Sequence, residues 1–301
     1  MAVKNLIISD DDIDRRLDNY LISKFKYIPK SKIYNIIRKG EVRINSKRIK
    51  PSYKLKKEDL VRIPPYLKNN IPESKNISTE LIDSNINDKN ILFYDNNYII
   101  LNKKNNISVH GGSKNYIGLI DVARQKFGEN IDLCHRLDKT TSGCLVFGKN
   151  KHAVRNFNDA LTSNKIKKTY SAILKGSFKG SRKIELEIYK NLNSKSKMSI
   201  SYFKFKEKLR NTTLVDVELT TGRTHQIRIH ASKINHPIIF DKKYGDNVFD
   251  KSLNIGNCNI ALHSRSITFP NLNDKEIKVS CSPSNDFNKI LQNLRWIIYY
   301  Y

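Results

Sequence analysis

A chain of 301 residues is long enough for one large domain with a smaller companion, and its 39% hydrophobic content suffices for a core. Lys and Arg number 55 against 29 Asp and Glu, a net charge of +26 that calls for a polyanionic partner; with 15 Tyr and 12 Phe available for stacking, nucleic acid ranks ahead of a membrane surface. Cysteines 134, 144, 258 and 281 lack zinc-ribbon spacing and form no disulfide framework, and neither a membrane span nor a signal-peptide apolar region is evident, so the reading is a reduced, cytoplasmic protein with no membrane attachment.

Near the amino terminus, Leu17, Tyr20, Leu21 and Phe25 recur at helical spacing, and Ile33, Ile36 and Ile37 follow Pro29 and stop at Gly40. Two short helices are predicted there, followed by short strands at 42–44, 48–49 and Leu60–Ile63. Residues 1–70 hold 18 Lys/Arg against 8 Asp/Glu, a net +10, while the remaining residues carry +16 at about half that density. Lys30, Lys32, Arg38, Lys39 and Arg43 are therefore candidates for phosphate contacts, with an ordinary solvated face as the alternative. Residues 66–89, rich in Asn, Ser, Lys and Pro, read as a flexible linker between a domain at 1–65 and another at 90–301.

The second domain opens with a predicted hairpin, Ile91–Tyr94 and 98–101 around Asp95-Asn96-Asn97. Val109-His110-Gly111-Gly112-Ser113 marks either a close backbone approach or a plain loop, and a helix follows through Leu119, Val122, Ala123 and Phe127. Next comes His135-Arg136-Leu137-Asp138-Lys139-Thr140-Thr141-Ser142-Gly143, an acid between two cations on a small-residue turn, directly before the apolar run Cys144-Leu145-Val146-Phe147. A carboxylate on a tight loop at the mouth of a buried strand is held still and aimed outward, as catalysis requires; alternatively Asp138 bonds its own backbone in the turn.

A helix is predicted over 151–163, then strands from Lys168 to Leu219, with Thr213, Val215, Val217 and Leu219 sharing one face. Tyr170 near the first strand's start is either core or functional. A strand-to-helix joint spans 220–230, with Thr224 as the expected N-cap, Ile227, Ala231 and Ile234 as the buried side, and His225 and Arg228 projecting near one another. His225, His230 and His236 lack the three- or four-residue intervals of helical metal ligands, so no metal site is expected. Strands interleaved with a few helices give an α+β class with a largely antiparallel sheet.

His135-Arg136-Leu137-Asp138 followed by Thr141-Ser142-Gly143 resembles the signature of pseudouridine synthases that act on ribosomal RNA. Thr221-Gly222-Arg223-Thr224-His225-Gln226-Ile227-Arg228 and Tyr170 in its Lys-x-Tyr context resemble further motifs of that family. Arg16-Leu17-Asp18, Pro29-Lys30-Ser31 and residues 38–45 resemble the RNA-binding domain first named from a small-subunit ribosomal protein, the S-four domain. The resemblance covers nearly the whole chain apart from the linker and the carboxy-terminal end.

It implies a small S-four-type RNA-binding domain plus a larger pseudouridine synthase domain whose mostly antiparallel sheet is flanked by helices. Asp138 would be the catalytic carboxylate, Arg228 its ion-pair partner, and Tyr170 the ring against the target base, while His135 and Arg136 would contact RNA and Arg136 would fill the gap left by a flipped nucleotide or hold that nucleotide. The implied substrate is 23S large-subunit ribosomal RNA, with no cofactor, no metal and a monomeric state. The alternatives are a sister synthase acting on other ribosomal or transfer RNA sites, a non-catalytic ribosome-assembly factor, and a glycosidase, which would require a second acid near Asp138. Departures from the family pattern are Lys104 in place of proline, Thr140 in place of a frequent Asp, and a shortened segment before Lys197-Met198-Ser199.

Overall fold

The computed structural model describes residues 4–25, 28–68, 77–111, 117–189 and 196–295, so Gly112, Ser113 and most of the segment before Lys197 lie outside the described residues. The chain divides into two compact units, Met1–Ser78 and Thr79–Tyr301.

In the first unit, β1 (Lys4–Ile7), α1 (Leu17–Lys24), α2 (Lys30–Arg38), β2 (Arg43–Ile44) and β3 (Leu60–Ile63) form two helices and an antiparallel sheet in the order β1-β3-β2. The isoleucine spacing seen in the sequence works as expected: Ile33, Ile36 and Ile37 of α2 bury against Leu17, Tyr20 and Leu21 of α1. Buried Asp18 takes Nε and Nη2 of Arg16 at 3.1 and 2.6 Å and the Tyr34 hydroxyl at 3.1 Å, which ties α1 to α2. The Arg16 hydrogen bond, working against burial, holds that carboxyl below its usual range. The strand expected at 48–49 is absent: Asn45 and Ser46 adopt left-handed φ values of 48° and 67°, and the chain turns back at Lys47.

The second unit begins inside the stretch read as a linker. There Thr79–Asn85 forms α3, with Ile82 buried, and Asp88–Asn90 forms a 3-10 turn. Ile82 and Ile86, one helical turn apart and both buried, carry a packing signal that the polar composition masked.

The remaining elements are β4 (Ile91–Tyr94), β5 (Tyr98–Lys103), α4 (Leu119–Phe127), β6 (Asp132–Leu133), β7 (Ser142–Gly148), α5 (Lys151–Thr162), β8 (Lys167–Lys175), β9 (Ser181–Ile188), β10 (Lys197–Leu209), β11 (Thr212–Leu219), α6 (Gln226–Lys233), α7 (Asn247–Ser252), β12 (Leu262–Pro270), β13 (Glu276–Ser280) and α8 (Asn285–Arg295). One sheet runs β4-β5-β7-β12-β8-β11-β10-β9, with β6 added to β7 and β13 to β12. Among the described residues every pairing in it is antiparallel except β7 with β12. Ala153, Phe157 and Ala160 of α5 pack with Cys144, Val146 and Phe269 in a core beneath the sheet's middle, while α6 lies on β9 and β10. The α+β class with flanking helices is therefore the observed one.

The parallel pair fixes the position of the Asp138 loop. Gly143 stands opposite Ser264 with φ at +109°, and a Cβ there would lie 2.2 Å from the Ser264 carbonyl oxygen. On the other side of β12, Arg265 is an extra residue between the pairs Ser264 with Tyr170 and Ser266 with Thr169, a bulge that resets the register beside Tyr170. Gly143→Ala is expected to cost about 3 kcal/mol, seen as a fall in Tm of about 10 °C in a calorimetric melt. A Tm within about 2 °C of the parent would show that β7 and β12 separate easily.

Candidate active site

The loop between β6 and β7 is clamped at both ends before it presents a side chain. Cys134 N–H donates to the Val146 carbonyl at 3.1 Å, and Val146 N–H donates to His135 Nε2 at 3.2 Å while the His135 ring stacks on Phe157. Accepting at Nε2 requires a proton on Nδ1 if the ring is to be neutral, and burial, then the Lys168 charge, push its pKa well below the ordinary histidine value. His135, expected at the RNA, thus uses Nε2 to fasten the loop to β7, and only part of its ring reaches the cavity.

Farther along, three successive carbonyls are capped. The Asp138 carbonyl accepts Thr141 N–H at 3.1 Å, the Lys139 carbonyl accepts Lys103 Nζ at 3.1 Å, and the Thr140 carbonyl accepts Asn105 Nδ2 at 2.7 Å. Lys103, only 2% exposed, also donates to the carbonyls of Lys104 and Ile107. Burial brings its pKa down to about 7, against the upward pull of the Asp138 charge. Lys104, standing where the resemblance predicts proline, sends its Nζ to the Ser84 carbonyl near the end of α3.

With its backbone held in this way, Asp138 directs its carboxylate away from the turn. Oδ2 lies 3.4 Å from Arg228 Nη1 and 3.8 Å from His225 Nε2, and among the described residues it caps no backbone N–H, so the self-bonded turn alternative does not describe it. Arg228 does stand beside Asp138, but its tight fork is elsewhere: Nε and Nη2 each donate to Asp241 at 2.7 Å. Asp241 is 1% exposed and also accepts the backbone N–H groups of Lys243 and Tyr244. Burial alone would lower the Arg228 pKa; the bonds and charge of Asp241, then of Asp138, outweigh it and raise it. Burial likewise works to raise Asp241, and Arg228 outweighs it in the other direction.

The joint that delivers Arg228 differs from the expected cap. His225, not Thr224, is the N-cap, left-handed at φ 55° and without a side-chain cap bond. Gln226 does the stapling: its Oε1 accepts Thr221 Oγ1 and Arg223 N–H, and its Nε2 donates to Ile200 O and Ser201 Oγ. His225 Nδ1 meets the Tyr244 hydroxyl at 3.0 Å, and the Tyr244 ring also lies 5.1 Å from the Arg228 guanidinium. His230 bonds Ser199 and His236 bonds the Lys175 carbonyl, so the three histidines have separate partners.

Asp138, His225, Gln226 and Arg228 line a cavity of about 530 Å³, within the range of small-ligand pockets. Tyr170 lines it from β8, 7% exposed, its phenol pushed up to about 12 chiefly by burial, with Asp138 adding and Ser264 opposing. Asp138 is the only acid among the described lining residues, against Arg136, Lys168, Arg223 and Arg228. The structure thus gathers Asp138, Tyr170, Arg228, His135 and Arg136 at one cavity, with Arg136 exposed. Among the described residues the lining holds no second carboxylate of the kind a glycosidase pair needs. In the first unit Lys30, Lys32, Arg38 and Lys39 are exposed along or just after α2, whereas half-buried Arg43 donates Nε to the Gly40 carbonyl and holds the local turn.

Residues 97–233 match the family model described as RNA pseudouridylate synthase, and residues 15–61 match that of the S4 domain. The ribosomal large subunit pseudouridine synthase C of Haemophilus influenzae is 41% identical over 312 residues, covering 98% of this chain and 96% of that protein. Its namesake from Pasteurella multocida is 38% identical over 309 residues, covering 98% and 94%. The solved structure of human RNA pseudouridylate synthase domain containing 4 shares the fold at a TM-score of 0.59 and 23% identity, over 68% of this chain and 93% of that one.

Asp241→Asn leaves Arg228 buried with one fork partner neutralised. A loss of about 3 kcal/mol is expected in urea unfolding, since breaking a buried pair strands the remaining charge. An unchanged midpoint would mean that Asp138 alone can hold the guanidinium.

Proposed function

The chain belongs to the RNA pseudouridylate synthase family, and from that premise we propose that it isomerises uridines of large-subunit ribosomal RNA to pseudouridine, with Asp138 as the catalytic carboxylate. The observation that carries this reading is a carboxylate, the only one among the described lining residues, beside Arg228, itself locked by Asp241, in a cavity that buried Tyr170 also lines. The names of the bacterial relatives, which span nearly the whole chain, support the substrate.

The reaction breaks the N1–C1′ bond of a uridine, turns the base and joins C5 to C1′; the C5 proton leaves and N1 gains one, so no electrons are exchanged with an outside reagent. Cleavage leaves positive charge on the sugar, and the Asp138 carboxylate is placed to stabilise it or to bond to it. Tyr170 enters as a neutral phenol, with its pKa at about 12, and offers a ring face for the base. A uridine must leave its stack to reach this cavity, at a cost of a few kcal/mol that contacts from Arg136, Arg223 and the basic first unit offset. Arg136, exposed at the cavity and two residues from Asp138, is suited to occupy the vacated stack. Lys30, Lys32, Arg38 and Lys39 supply phosphate contacts that hold the RNA without reading its sequence.

Incubating unmodified 23S ribosomal RNA with the purified protein, without added cofactor, and mapping pseudouridine should reveal new sites with the parent and none with Asp138→Asn. Equal modification by both would remove Asp138 from the reaction; none by either, with tight RNA binding retained, would replace an enzyme with a binding factor. Changing Lys30, Lys32, Arg38 and Lys39 together to Gln should weaken RNA binding and lower the slope of log affinity against log salt by about 0.7 for each single-strand phosphate that is no longer neutralised. An unchanged slope would assign these four charges to solvent.

A further inference from the structure

Lys168 is a buried cation of the cavity with no counter-charge among the described residues. It leaves β8 two residues before Tyr170, so both side chains rise from one face of the strand. Only 8% of Lys168 is exposed, and among the described residues its Nζ has no hydrogen bond or ion pair; the Phe157 ring centroid lies 6.0 Å away. The other buried cations at this site are satisfied. Lys103 spends its Nζ on three carbonyls, and Arg228 is held by two carboxylates. An ammonium buried without an acceptor is costly, and its position suits an anion that comes and goes. Burial lowers the Lys168 pKa to about 8, which keeps the group mostly protonated at neutral pH while lacking a partner.

Its location selects the anion. Lys168 lines the main cavity and also a neighbouring pocket of about 150 Å³, and so stands at their junction. The smaller pocket presents Tyr202, 43% exposed, with Glu218 and Lys167 also in its lining and Lys183 Nζ 5.9 Å from the Tyr202 ring centroid. Glu218 and Lys167 offset one another, so the pocket has no net charge beyond Lys168 to hold a phosphate, and Tyr202 offers a ring on which a base can stack. Two strand residues put Lys168 about 7 Å from Tyr170 along β8, the scale of one nucleotide.

We propose that Lys168 holds the phosphodiester joining the target uridine to one adjacent nucleotide, whose base occupies the smaller pocket against Tyr202. The subsite rests on the pseudouridine synthase reading and adds to it a contact that fixes which nucleotide enters the main cavity. It is a positioning contact, formed with the backbone and not with the reacting atoms.

The test pairs a protein change with an RNA change. The RNA is a synthetic hairpin carrying a uridine located by the mapping, with one uncharged methylphosphonate replacing the phosphate on its 5′ or its 3′ side and the matched unmodified hairpin as control. Lys168→Met should lower kcat/KM about tenfold, mainly through KM, and Lys168→Arg should restore most of the loss. On one side of the uridine the methylphosphonate should cost the parent a similar factor and cost Lys168→Met nothing more, because that variant has no ammonium to meet the phosphate. Multiplying losses on both sides, or a parent indifferent to both methylphosphonates, overturns the subsite while leaving the enzyme reading intact; the second of these is read on the parent alone, even if Lys168→Met folds poorly. A parent that forms no pseudouridine in any hairpin or in the full RNA overturns the reading and the subsite together.

Discussion

Three charges, one cation between two acids, decide how the large unit is built around its cavity. Arg228 comes from α6 and Asp241 from the loop that follows it, 13 residues on, whereas Asp138 comes from the loop before β7, 90 residues away from Arg228. Burying a guanidinium is tolerable only when its donors are filled, and Asp241 fills two of them at 2.7 Å. What remains, Nη1, is turned toward Asp138 at a looser 3.4 Å. The division of labour follows: the tight fork fixes the arginine, and the arginine then gives Asp138 a fixed counter-charge without enclosing it, since 19% of that side chain stays accessible.

A carboxylate aimed by electrostatics alone would still swing with its loop, and the structure prevents this by bonding the loop's carbonyls. Lys103 and Asn105, at and just beyond the end of β5, reach the carbonyls of Lys139 and Thr140, and His135 ties the loop's start to β7. Gly143 then lets β7 lie against Ser264 of β12 in the sheet's parallel pairing, a proximity that any side chain there would prevent. Rigid sheet, bonded loop and locked arginine are successive layers of one restraint on two oxygen atoms.

Charge is used differently in the two units. In the large unit the buried cations at and behind the cavity sit in built surroundings: Arg228 is paired, Lys103 caps carbonyls, and Lys168 is buried with no acceptor among the described residues. In the small unit Lys30, Lys32, Arg38 and Lys39 lie in solvent over a core of isoleucines, the arrangement of a surface that meets a polyanion by attraction over distance. Arg43 is the exception, drawn inward to the Gly40 carbonyl, and shows that a basic residue in a motif can serve the turn as much as the ligand.

Much of this was determined by the sequence itself, because the signals are local. Apolar spacing marked α1, α2 and α4; the Asp95-Asn96-Asn97 turn marked the hairpin of β4 and β5; and the runs around Asp138 and Arg228 marked two sides of the cavity. Local reading failed where competing interactions are local but finely balanced, as with Thr224, displaced as cap by a left-handed His225 and a stapling Gln226, or where polar composition hid the pair made by Ile82 of α3 and Ile86 just after it. Only the tertiary structure could choose Asp241 over Asp138 as the main partner of Arg228, bring Lys103 to a carbonyl 36 residues away, and leave Lys168 buried with no acceptor among the described residues. Periodicity and motifs describe what a residue does along its own strand or helix. Which charges meet is set by the order in which strands pair, and by how much water each pairing removes.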